Sequence, residues 1–289
     1  MRHERMIGAA GSFTFSMIAL ARSARWRLLA VLAAFFLISP IGQPRADTLG
    51  LRYEIYGSGF HLLSFDVTIA QGEEAYRINS AFRTRGLLDS VVGFLLRAEA
   101  TGRVDAGRLK PTEYASFSKM RGKMRNTRIE YVEDGTVTAE VTPPDKEKRT
   151  KVTPEQMVGT VDALTSTLIV GRALEQGGDC RQVIPVFDGR RRYDLQYEDR
   201  GIQELKKSSY SAFAGPARAC RVKQHRISGF STDPHDGEKT DEAAIWIASV
   251  LPGAPPMPVR IELESSWGYV YVHLAEVTGS AGTRKLAKE

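Results

Sequence analysis

Cysteine and histidine are scarce in this sequence of 289 residues, which has two of the first (Cys180 and Cys220) and five of the second. There is no HExxH and no paired CxxC, so no zinc ligand set can be assembled by motif. Nor is there a G-x-S-x-G elbow, a Walker loop or a G-x-G-x-x-G. Ser116-Phe117-Ser118-Lys119 has the S-x-x-K spacing, yet that chemistry needs both side chains on one helical face, and three residues along a strand point to opposite faces. Glu262 and Glu264 alternate outward against Ile261 and Leu263, a solvated face and not an acid–base pair. The histidines do not fill the gap. His3 precedes the domain, His61 and His273 sit on apolar or aromatic strand faces, His225 lies in the Cys220 strand, and His235 is in a loop without the twelve-residue calcium spacing. The expectation is therefore no catalytic residue, no cofactor and no metal.

Long apolar runs are missing as well. The longest, Leu28 to Ile38, is too short to cross a bilayer as a helix, which takes roughly 20 residues. Arg22, Arg25 and Arg27 precede it and Ser39-Pro40 ends it, the pattern of a secretory signal peptide with cleavage near Ala46. Residues 1–46 hold six of the 40 Lys+Arg and one of the 34 Asp+Glu, which leaves 34 basic and 33 acidic groups beyond them. That balance excludes the sustained basic surface of a nucleic-acid binder. In an exported chain an even pair of cysteines reads as a disulfide, Cys180 to Cys220. No repeat or long linker divides the remainder, so residues 47–277 are expected as one domain, followed by a disordered tail over residues 278–289.

What is plentiful is period-two alternation. Leu51, Tyr53 and Ile55 share one side of an extended segment, and His61, Leu63, Phe65, Val67 and Ile69 one side of the next. Tyr76, Ile78, Ser80 and Phe82 complete a meander. Strands follow over Phe94 to Asp105, Pro111 to Gly122, Asn126 to Asp134 and Thr136 to Pro144, whereas Gly86 to Gly93 breaks the pattern. The cations between Lys119 and Arg128 fit solvated hairpin tips and edges, or contact with anionic headgroups. One helix is expected: Thr153-Pro154-Glu155-Gln156 offers a cap, Gly159 interrupts, and Asp162 to Gln176 carries the apolar stripe Leu164, Leu168 and Leu174 up to Gly177-Gly178. Pro185 to Tyr197 reads as a hairpin about Asp188-Gly189, with Arg191, Tyr193, Leu195 and Tyr197 on one side. Glu204 to Phe213, the Cys220 strand, the Trp246 strand and two C-terminal strands complete the chain. In the last of these Val270, Val272 and Leu274 oppose Tyr269, Tyr271 and His273. The turn and groove-facing candidates are thus Asp188, Gly189, Arg191, Tyr193, Tyr269, Tyr271 and His273.

Phe187-Asp188-Gly189, the basic-aromatic strand after it, the Cys strand, the Trp strand and Pro258-Val259-Arg260 occur in an order that resembles the bacterial exported family called domain of unknown function 3108. The resemblance spans about residues 47 to 277 and implies a periplasmic or envelope-associated protein without an assigned reaction. It is also similar to β-spiral envelope-integrity proteins and half-barrel lipoprotein carriers. The expected fold is mainly β, a single strongly curved antiparallel sheet packed against one principal α-helix. The expected function is non-catalytic: a lipid, acyl chain or protein segment held in an apolar groove, with peripheral membrane contact. A periplasmic hydrolase acting on envelope lipid or polymer, built around His225 or His273, is the alternative.

Overall fold

The computed structural model describes residues 47–84, 93–144, 149–232, 242–265 and 268–286. The leader, His3, most of Gly86 to Gly93 and His235 lie outside the described residues. Seven strands come first: β1 (Asp47–Gly57), β2 (Phe60–Gln71), β3 (Ala75–Thr84), β4 (Leu95–Asp105), β5 (Arg108–Met120), β6 (Lys123–Tyr131) and β7 (Val137–Thr142). Two helices follow, α1 (Pro154–Met157) and α2 (Ala163–Glu175). The chain then makes β8 (Gln182–Phe187), β9 (Arg192–Leu205), β10 (Gly215–Ser228), β11 (Glu242–Ala248), β12 (Met257–Ser265), β13 (Gly268–Gly279) and β14 (Gly282–Lys285). All belong to one sheet in the order β7-β6-β5-β4-β3-β2-β1-β13-β12-β11-β10-β9-β8, with β14 on β13.

This order is two meanders joined along β1 and β13, each a chain of antiparallel neighbours. Its two edges, β7 and β8, are consecutive in sequence. The one long connection therefore runs from edge to edge and carries both helices with it. Three hairpins turn on two residues of positive φ, Ser58-Gly59, Ala106-Gly107 and Arg121-Gly122. Turns of that kind have the twist that two-residue hairpins require. The expected hairpin at Asp188-Gly189 is present with a four-residue loop: Phe187 pairs Arg192, and Asp188 Oδ1 accepts from the amides of Arg190 at 3.1 Å and Arg191 at 2.8 Å.

α2 packs against β4, β5 and β8, so it lies on one face of the sheet, here called inner. The inner face supplies the main core, with Leu49, Leu51, Tyr53, Ile69, Ile78, Ala100 and Leu274 buried together with Leu168 of the helix. The edges do not hydrogen-bond to each other along their length. Instead Phe187 of β8 packs with Ile129 of β6 and Val137 of β7, all buried. Just before the helix, Val161 lies along the β8 edge, its amide donating to Pro185 and its carbonyl accepting from Phe187. Cys180 and Cys220 form the expected disulfide, with Cα atoms 6.1 Å apart, buried beside Val170 of α2.

Two expectations change. The helical stretch is two helices, because Gly159 takes φ +73° and the chain turns there. The segment from Glu204 to Phe213, to which the sequence assigns no element, leaves the sheet after Leu205 and lies over its outer face, where the Tyr210 ring is tilted against Tyr56 with centroids 4.7 Å apart. The tail expected from Thr278 is instead the end of β13 and strand β14. Leu286 is buried there, and its amide bonds to the Ala275 carbonyl at 2.7 Å. A short polar strand such as Gly282–Lys285 has no alternation to announce it; its partner supplies the reason to be extended.

Candidate functional site

The inner face carries two features. The first is the seat of the helix. Asp162 is the N-cap of α2: its Oδ1 accepts from the amides of Leu164 and Thr165, both at 2.9 Å, and its Oδ2 from the Thr165 hydroxyl at 2.6 Å. Thr165 Oγ1 is in turn 2.9 Å from the Tyr76 hydroxyl on β3. With the carboxylate accepting from Thr165, Tyr76 is left as the donor, so a single relay ties helix to sheet. Burial holds the Asp162 carboxyl above its usual range despite these donors. Tyr114, Tyr131 and Tyr193 crowd the same region, and burial raises the pKa of each.

The second feature is a transverse apolar stripe nearer the opposite end of the strands. Tyr53, Phe65, Phe82 and Leu96 are paired in register across β1, β2, β3 and β4, and the row continues to Ser118 and Arg125. The rings stack, Tyr53 on Phe65 at 4.8 Å and Phe65 on Phe82 at 4.3 Å. Tyr53 is buried, but Phe65, Phe82 and Leu96 are only half-buried, as are Ile55 and Leu63 beside them. This is core-type sequence that the described residues do not finish covering. Near the helix-bearing end lies a cleft of about 810 Å³, lined by Val104, Leu109, Val137 and Val161 and edged by Arg103, Lys110 and Glu133.

The outer face gathers the side chains with most chemistry. Glu54 Oε2 is 2.5 Å from both His61 Nε2 and Ser64 Oγ. The acid stands between the other two, whereas nucleophile activation needs the imidazole between serine and acid. His273 is 2% exposed, neither ring nitrogen has a hydrogen-bond partner, and its ring is nearly parallel to those of Tyr210 and Tyr271, with centroids 6.1 and 6.4 Å away. Burial, then the charge of Arg260, lowers its pKa to about 4. His225 bonds Gln196 at 2.7 Å in an exposed position. Among the described residues no group of three or more His, Cys, Asp or Glu could hold a metal.

The seven candidates from the sequence fall into two places. Tyr269, Tyr271 and His273 lie on the outer face, opposite Val270, Val272 and Leu274, under or beside Tyr210. Asp188, Gly189 and Arg191 form the turn that presses on β6, and a Cβ at Gly189 would stand 2.4 Å from Thr127 Cγ2. Tyr193 is buried within the inner core. The stripe was missed as a unit because its members come from four strands and only the register aligns them.

A single antiparallel sheet curled about one helix, with an inner face part buried and part half-buried among the described residues, defines a β-barrel-like protein. The chain belongs to the family described as Protein of unknown function (DUF3108), whose model matches residues 52–275. It is also similar in fold to a β-barrel-like protein of domain of unknown function DUF1849 from Brucella abortus. The two share 11% identity with a TM-score of 0.50, over 81% of this chain and 98% of that one. No curated protein matches the sequence.

Proposed function

We propose that the protein is a non-catalytic component of the periplasm that holds an acyl chain or lipid against the inner face of its sheet and so supports the cell envelope. The observation that carries this reading is the half-buried stripe of Phe65, Phe82 and Leu96 with Ile55 and Leu63. A bound acyl chain would gain about 0.8 kcal/mol for each methylene taken from water there. A disulfide between Cys180 and Cys220 accords with an oxidising compartment. The acid-centred arrangement of Glu54, His61 and Ser64 accords with a role other than catalysis.

Native mass spectrometry of protein purified from its own envelope, together with uptake of a fluorescent fatty acid, tests the proposal. Lipid-sized adducts and saturable uptake are expected, with affinity falling roughly ten- to hundredfold in Phe82→Gln, as loss of an aromatic contact of about 1.5 to 3 kcal/mol requires. A bare polypeptide mass with no uptake overturns it.

A further inference from the structure

We propose that the strand ends nearest the apolar stripe form a docking surface for an anionic lipid bilayer, with the β5–β6 hairpin as its principal contact. The hairpin tip runs from Met120 through Arg121, Gly122 and Lys123 to Met124, and its two methionines are turned to solvent, Met120 52% and Met124 58% exposed. From Ser116 to Ile129 the sequence contains five cations and no acid. Arg128 is tied to Glu113 and Glu130, which leaves Lys119, Arg121 and Lys123 exposed around the methionines. β4 pairs β5 only as far as Lys119 and β7 pairs β6 only from Asn126, so the tip projects beyond the ladders on both sides and its cations and methionines stand together in solvent.

The same end of the sheet carries other exposed apolar tips. Phe60, which closes the β1–β2 turn, is 72% exposed, and Tyr269, just after Gly268, is 54% exposed. Gly268 stands beside Ser58, so these two tips are neighbours. Apolar side chains projecting among cations match a surface that is negative at the headgroups and apolar beneath them, and neither half of the pattern suits plain water. The stripe begins within a few residues: Leu96 pairs Ser118, two positions from Met120. Docking by these tips would thus set the start of the stripe within a few residues of the bilayer, a consequence that rests on the acyl-binding reading, although docking itself does not.

Co-flotation of the protein with phosphatidylcholine vesicles, with and without about one third phosphatidylglycerol, decides the matter. Binding is expected to be roughly tenfold tighter with phosphatidylglycerol and to weaken at high salt. Lys119→Glu with Lys123→Glu, and separately Met120→Ser with Met124→Ser, should each lower that binding about tenfold, whereas Arg108→Glu, in the β4–β5 turn at the opposite end of β5, should not. In Met124→Trp, indole fluorescence should shift to the blue when anionic vesicles are added. Equal binding to both vesicle types, or full binding by the methionine variant, overturns the docking surface. Fatty-acid uptake separates the two readings: tip variants that lose vesicle binding but keep uptake support docking as a distinct step, and vesicle binding without any uptake supports docking while removing the acyl-binding reading.

Discussion

His273 shows how one side chain can set a pH limit for the whole fold. Its imidazole is buried among Tyr56, Tyr210 and Tyr271 with Arg260 beside it, and its pKa falls from 6.5 to about 4. Because the folded value is the lower one, the unfolded chain takes up the proton more readily as the solution is acidified. The stability held above pH 6.5 is therefore lost as pH falls toward 4. Glu54, the register partner of His273 on β1, and Glu262, which Arg260 holds, face the same layer. Replacing the ring by one that cannot titrate isolates the contribution of His273 itself. In His273→Phe the urea midpoint should vary less between pH 6.5 and 4 than in the wild type, with stacking on the tyrosines retained. Parallel profiles for the two proteins would assign the acid sensitivity to other groups.

Among the elements, α2 depends on Asp162 at both of its jobs, capping the helix and fixing it to β3. Asp162→Ala removes acceptors for two amides and a hydroxyl and should cost about 2 to 4 kcal/mol, the loss of a cap together with buried donors left unpaired. Asp162→Asn should cost less, about 1 to 2 kcal/mol. Its Oδ1 can take both amides while its amide group donates to Thr165 and Thr165 donates to Tyr76, which leaves only the Tyr76 hydroxyl proton without an acceptor. Equal losses in the two variants, measured by urea unfolding, would remove the relay as the reason for the residue. Much at this scale was legible in the sequence. Period-two alternation gave most strand positions, glycines at 59, 107 and 135 marked turns, and an even pair of cysteines in an export context named the disulfide. The pairing of β1 with β13, some 220 residues apart by their register, has no local signature. Nor has the layer over His273, because Tyr210 lies in a segment, Lys206 to Ala214, with no alternation or cap to say where it lies. Gly159 was visible as an interruption, but only its positive φ decides that the helix stops there.

At the scale of the molecule, the question is what keeps a long sheet curled when its edges share no ladder. Sheet twist supplies the tendency to coil, but twist alone does not fix where the two edges meet. The closing contact is small and specific: Phe187, Ile129 and Val137 are buried across the gap, and the Asp188 turn rests on Thr127. The glycine at 189 is there because a Cβ would collide with that threonine. If this cluster holds the edges together, Phe187→Ala should cost about 3 to 5 kcal/mol, and the damage should be uneven. Hydrogen exchange should quicken most in β6, β7 and β8, whereas the β1–β13 seam, paired on both sides along its length, should keep its protection. The acyl chain proposed above would lie on the inner face that this closure shapes, so its uptake should weaken with the closure even though Phe187 is remote from the stripe. Uniform loss of protection across the sheet would mean instead that the curl is a property of the whole ribbon, and that the edge cluster is only where its ends come to rest.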